Sequence, residues 1–109
     1  MKKVNHSNLL TQKILSHLFK SGAFAWRANT TGVWDQARGL YRSSPKKGVS
    51  DILGCFHGRF LAIEVKSPTD HLSPEQEGFQ RSVEHVQGVA FMVKSFDEYL
   101  IKFSTHFPS

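Results

Sequence analysis

The sequence predicts a mixed α/β domain, a mixed sheet flanked by helices in the order α-β-β-β-α-β-α. Three observations predict it. Apolar residues recur at helical spacing near the N-terminus, two apolar runs flank His57-Gly58, and two serines open a helix–strand–helix tail. At 109 residues the chain is expected to form a single domain, 1–109, around one core.

The first helix rests on Leu10, Ile14 and Leu18, with Leu15 and Phe19 beside them. Ser7 or Asn8 is its expected cap, and Gly22 its expected end. Ala23 to Ala28 reads as a short strand, a placement that favours the core for Trp26 over stacking on unpaired bases. Residues 29–47 show no apolar period and contain Gly32, Gly39 and Pro45, so a long functional loop is expected there. Val49 to Phe56 and Arg59 to Lys66 read as strands joined by a tight turn at His57-Gly58. Phe60 to Ile63 is apolar at every position, which predicts cover on both faces. Cys55 is expected in the core.

Ser73-Pro74-Glu75-Gln76 places a capping Ser, a Pro at the first helical position and a Gln at the third. Phe79, Val83 and Val86 form the expected buried stripe of that helix, and Gly88 its stop. Val89 to Val93 reads as a strand. Ser95-Phe96-Asp97-Glu98 repeats the capping-box pattern ahead of Tyr99, Leu100 and Phe103.

Net charge is +5 and the pI about 9.6. The charge is uneven: residues 1–66 carry 11 Lys/Arg against 3 Asp/Glu, net +8, and residues 67–109 carry 3 against 6, net −3. A basic half suits a polyanion such as a nucleic-acid backbone. No apolar run approaches the ~20 residues that span a bilayer, so no membrane partner is expected. The single Cys55 forms no internal disulfide and fits a reducing, intracellular setting, the cytoplasm of a bacterium or of a virus-infected host cell. One Cys and six scattered His give no zinc-site spacing.

With the turn at residues 57 and 58, Phe56 opposes Arg59 and Asp51 opposes Glu64. Directly opposed side chains have Cβ atoms roughly 4.5–5.5 Å apart, and two like charges there repel. Lys66, two residues beyond Glu64, projects from the same face. A divalent cation compensates such a cluster. Mg²⁺ takes oxygen ligands at about 2.0–2.1 Å and is commonly held by one or two carboxylates. It polarises a phosphoryl oxygen and activates water, while Lys66 orients that water or stabilises charge on the phosphate. The bland alternative is a structural Lys66–Glu64 ion pair with Asp51 a solvated strand end.

Three segments together carry a resemblance: Gly48-Val49-Ser50-Asp51-Ile52-Leu53-Gly54, Gly58-Arg59-Phe60-Leu61-Ala62-Ile63-Glu64-Val65-Lys66-Ser67 and Leu72-Ser73-Pro74-Glu75-Gln76. They resemble the VRR-NUC branch of the PD-(D/E)xK nucleases, over roughly residues 7 to 94. The resemblance implies a restriction-endonuclease-like fold and Mg²⁺- or Mn²⁺-dependent cleavage of DNA. It implies Asp51, Glu64 and the Val65 carbonyl as metal ligands, Lys66 as the catalytic lysine, and Gln76 as the family glutamine near the site. Small stand-alone members are virus-type proteins, similar to Holliday-junction resolvases in working as homodimers. Two departures stand out. Ser50 replaces the motif proline, and Ser7, Asn8 and Gln12 occupy the first-helix region where relatives often carry an acid.

Gln76 either enters the active site or closes the capping box with Ser73. Arg27, Arg38, Arg42, Lys46 and Lys47 are candidate phosphate contacts, and Trp34 and Tyr41 in the loop are candidates for stacking on unpaired bases. His57 is expected to be a turn residue and His71 an exposed loop residue. The expected activity is cleavage of branched DNA, a Holliday junction first and flaps or nicks next. The alternatives are a non-catalytic basic DNA-binding module and an interaction subunit docking through residues 29–47.

Overall fold

The computed structural model describes residues 6–28, 33–42 and 48–108. The chain is a mixed α/β fold in three layers. Its main sheet contains β1 (Phe24–Arg27), β4 (Ile52–Phe56), β5 (Arg59–Val65) and β6 (Val89–Val93), in the spatial order β1-β4-β5-β6. The β1–β4 and β4–β5 pairs are antiparallel and the β5–β6 pair is parallel. Helices α1 (His6–Lys20) and α3 (Phe96–His106) cover one face, and α2 (Pro74–His85) packs against β5 and β6 on the other. No helix among the described residues is long and apolar enough to cross a membrane.

Alternation along the strands builds both cores. Leu61, Ile63 and Val65 of β5, with Val89, Phe91 and Val93 of β6, join Leu10, Ile14 and Leu18 of α1 and Tyr99 and Phe103 of α3. Ala62 and Ala90 turn the other way and meet Val83 and Phe79 of α2 and Leu53 of β4. Tyr99 is fully buried, its hydroxyl hydrogen-bonded to His17 Nδ1 at 2.8 Å, and burial raises its pKa above the ordinary range.

Several elements differ from the sequence expectation. The region of residues 29–47 contains a second, two-stranded sheet of β2 (Val33–Asp35) and β3 (Leu40–Arg42). Strands of three residues are too short to leave a period. α1 begins at His6, so Ser7 and Asn8 lie within its first turn instead of capping it. β4 begins at Ile52, three residues later than expected, and β5 stops at Val65. Val86 is exposed at the C-cap of α2, and the left-handed residue there is Gln87 (φ 70°). Gly88 serves close packing instead: a Cβ would lie 2.6 Å from a Val83 methyl. Cys55 is exposed, and Trp26 is 44% exposed, because both face the half of the sheet that α2 leaves uncovered. Phe60 is likewise 36% exposed, whereas Leu61 to Ile63 are covered on both sides.

The hairpin and caps follow the sequence closely. His57 (φ 51°) and Gly58 (φ 76°) both take the positive φ that a type I′ connection requires. Ser73 and Gln76 close a reciprocal capping box on α2. On α3, Ser95 accepts from Glu98 N, but the Glu98 carboxylate takes the Lys94 N–H instead of returning to Ser95.

Candidate active site

The β4–β5 register runs from Phe56↔Arg59 to Ile52↔Ile63. One step further, Asp51 and Glu64 are the next opposed positions. The neighbouring ladder continues in the same way, since Ala28 N donates to Asp51 O at 2.8 Å beyond the Arg27↔Ile52 pair. Asp51 is thus held by its backbone to the end of β1. Its side chain is held too: Val65 N donates to Asp51 Oδ2 at 2.8 Å. In an extended strand a residue's N–H and C=O lie on the same side. The Val65 carbonyl therefore also lies on the β4 side of β5. Lys66 N points the other way, donating to Val93 O at 3.0 Å.

The loop before Asp51 is pinned to α2. Gly48 has φ 78°, and a Cβ there would lie 2.2 Å from the Glu75 carbonyl oxygen. Only glycine lets this backbone approach the first turn of α2 so closely. That contact brings the backbone three residues before Asp51 against the start of the helix that follows Glu64.

Glu64 shares the α2 face of β5 with Ala62 and is 2% exposed. Its pKa is pushed up to about 9, first by burial, then by the hydrogen bond and negative charge of Asp51, with the Lys66 ammonium opposing. The expected repulsion between two carboxylates is therefore relieved near neutral pH by a proton on Glu64. Glu64 Oε2 has no hydrogen-bond partner among the described residues. Ionised, the pair offers two negative charges and a buried carboxylate oxygen, a donor set that suits a hard divalent cation. A protonated acid between a neighbouring carboxylate and a lysine is also a proton-holding device. Among the described residues no group of three or more His, Cys, Asp or Glu is placed to hold a metal. A cation here would rest on two carboxylates, a backbone oxygen and water.

Gln76 Oε1 accepts from Ser73 N at 2.8 Å, so its acceptor oxygen closes the cap. Gln80, one turn further along α2, escaped the sequence analysis. Its Nε2 is buried without a partner among the described residues, as is Ser50 Oγ next to Asp51. The sequence signal for Gln80 was its i+4 spacing from Gln76. In α1, Asn8 Oδ1 accepts from the Arg27 guanidinium, and Gln12 is exposed. Arg27 closes β1 and Arg38 is exposed in the β2–β3 turn. Trp34 and Tyr41 are directly opposed in the small sheet, and Arg42 opposes Val33. Lys46 and Lys47 lie outside the described residues.

Comparison with protein-family models found none that matches the chain, and comparison with curated proteins found no match.

Proposed function

We propose that this chain is a metal-dependent endodeoxyribonuclease of the VRR-NUC kind that its sequence resembles, with a restriction-endonuclease-like fold. It hydrolyses phosphodiester bonds in branched DNA, a Holliday junction foremost, with Mg²⁺ or Mn²⁺ as cofactor. The observation that carries this reading is the Asp51–Glu64 pair. Two acids meet across a hairpin, one of them 2% exposed with an oxygen unpartnered among the described residues and a pKa raised to about 9, beside a lysine. A purely structural role leaves that oxygen unexplained, because buried polar atoms in folded proteins are almost always paired.

In this reading Asp51, Glu64 and the Val65 carbonyl hold the cation. When bound, a divalent cation polarises a phosphoryl oxygen and acidifies water. The Val65 N–H fixes the Asp51 carboxylate in place. The Lys66 ammonium stabilises charge that develops on the attacked phosphate. Gln76 and its cap set the start of α2 against the Asp51 loop. Arg27, Arg38, Arg42, Lys46 and Lys47 bind backbone phosphates, and Trp34 and Tyr41 contact bases. One site makes one nick, so symmetric cutting of a four-way junction calls for a two-fold homodimer. The setting is intracellular.

The test is cleavage of junction, flap and duplex substrates with Mn²⁺. Wild type cuts, and Asp51→Ala and Lys66→Ala do not. A second reading, a DNA-binding module without catalysis, is favoured by Asn8, which bonds Arg27 in a first helix whose early turns carry no acid. It predicts DNA retention with no cleavage in any metal.

A further inference from the structure

We propose that Phe24 and Trp26 form a stacking platform for unpaired nucleobases of the strand whose phosphate lies at the Asp51–Glu64 pair. The inference rests on the reading of that pair as a DNA-cleaving site, and it assigns that site a substrate with unpaired bases next to the cut.

Trp26 is opposite Leu53, and Phe24 is opposite Cys55. Opposed residues point to the same side of a sheet. Leu53 belongs to the cluster under α2, so both aromatic rings stand on the α2 face, the face of Glu64 and Ala62. They are adjacent, with ring centroids 5.3 Å apart. Yet α2 packs chiefly on β5 and β6, and Phe24 is 72% and Trp26 44% exposed. Among the described residues, the ring contact of each is with the other.

Their position relative to the acids decides the occupant. Asp51 lies two residues before Leu53, so Trp26 and Asp51 are diagonal neighbours across β1 and β4. Such neighbours are about 7–8 Å apart. That is about one nucleotide step along an extended strand. A strand with its phosphate at the carboxylates therefore brings the adjacent base over the Trp26 indole. Charge agrees: residues 1–66, which supply β1, β4 and β5, carry a net +8. Stacking on an aromatic face is open to every base but needs the base free of its duplex. A second copy of this chain seated on the same rings is the competing occupant.

The experiment measures binding in EDTA, without cleavage, to a single-stranded oligonucleotide carrying 2-aminopurine and to the matched duplex. For wild type we expect 2-aminopurine quenching on the single strand. Trp26→Ala is expected to lose the quenching and about tenfold in single-strand affinity, with duplex affinity changed less than about twofold. Trp26→Phe is expected to retain most of both, and Phe24→Ala to show a smaller loss. The rings are exposed, so circular dichroism should be unchanged in all three. Equal losses for single strand and duplex would overturn the platform. So would quenching that survives Trp26→Ala, or a change of oligomeric state in sedimentation with quenching intact, the mark of a second copy on these rings. Cleavage with Mn²⁺ is scored separately. Quenching without cleavage sinks the nuclease reading alone, whereas Asp51-dependent cleavage with quenching unaffected by Trp26→Ala sinks the platform alone.

Discussion

Glu64 stands across the hairpin from Asp51, hydrogen-bonded to it and almost wholly buried. Taking a carboxylate out of water disfavours its charged form, and a neighbouring negative charge adds to that penalty. The Lys66 ammonium opposes both effects but is outweighed. Near neutral pH Glu64 of the metal-free protein keeps its proton.

Stability should therefore fall with rising pH. The folded Glu64 binds its proton more tightly than the unfolded one, whose ordinary value is 4.5, against about 9 when folded. Its favourable contribution is complete below pH 4.5 and is lost progressively as pH rises toward 9. The expected slope approaches about 1 kcal/mol per pH unit in that window. Urea unfolding of the metal-free protein at pH 5, 7 and 9 measures it, and Glu64→Gln should flatten it. A wild-type profile as flat as that of the Gln variant would show that the acid is ionised when folded.

Cation binding should be coupled to that same proton. A cation held by Glu64 requires its carboxylate, so binding at pH 7 releases close to one proton. Calorimetric titration with Mn²⁺ in two buffers of different ionisation enthalpy reads the number directly. Saturating Mn²⁺ at about 100 times Kd should add about 3 kcal/mol of stability. Asp51→Ala should show neither the proton release nor the stabilisation.

Much of this site was legible before the structure, because its pieces are local. The His57-Gly58 turn fixes the register, and a fixed register opposes Asp51 to Glu64 by counting alone. The Ser73 cap was readable for the same reason, since it spans four residues. What the sequence hid depends on layers. Trp26 has the composition of a core strand residue, and its exposure follows from where α2 stops covering the sheet. The exposure of Cys55 depends on the same layer, and that of Val86 on where α2 ends. Glu64 as a protonated acid was hidden too, because burial, the first cause of its shift, arises only once α2 packs on β5.

Asp51 has two separable jobs, and two substitutions separate them. Asp51→Asn keeps an oxygen that can accept from Val65 N, and it removes the negative charge beside Glu64. Asp51→Ala removes the acceptor and leaves a buried N–H without a partner, which costs about 1–3 kcal/mol. The metal-free Asn variant should therefore be more stable than the Ala variant by roughly that amount. Both should lose Mn²⁺ binding alike. Equal unfolding midpoints for the two would mean that the Val65 hydrogen bond contributes nothing to the fold.

Gly48 tests whether the Asp51 loop must sit against α2 for the acids to meet. Alanine there faces two penalties at once: a backbone at φ 78° and a methyl 2.2 Å from the Glu75 carbonyl oxygen. Neither neighbour is a flexible side-chain tip, so the loop has to lift away from the first turn of the helix. The φ strain alone costs about 1 kcal/mol. Lifting the loop also pulls Asp51 from its 2.8 Å hydrogen bond with Val65 N. Gly48→Ala should lower the unfolding free energy by about 2 kcal/mol or more, since the two effects act together. It should weaken Mn²⁺ binding although it replaces no ligand. Gly58→Ala is the control: it carries similar φ strain (76°) but meets nothing within 4 Å, at the opposite end of the hairpin. It should destabilise the fold by about 1 kcal/mol and leave Mn²⁺ affinity unchanged. Equal loss of Mn²⁺ affinity in both variants would place the effect in general unfolding instead of in the position of Asp51.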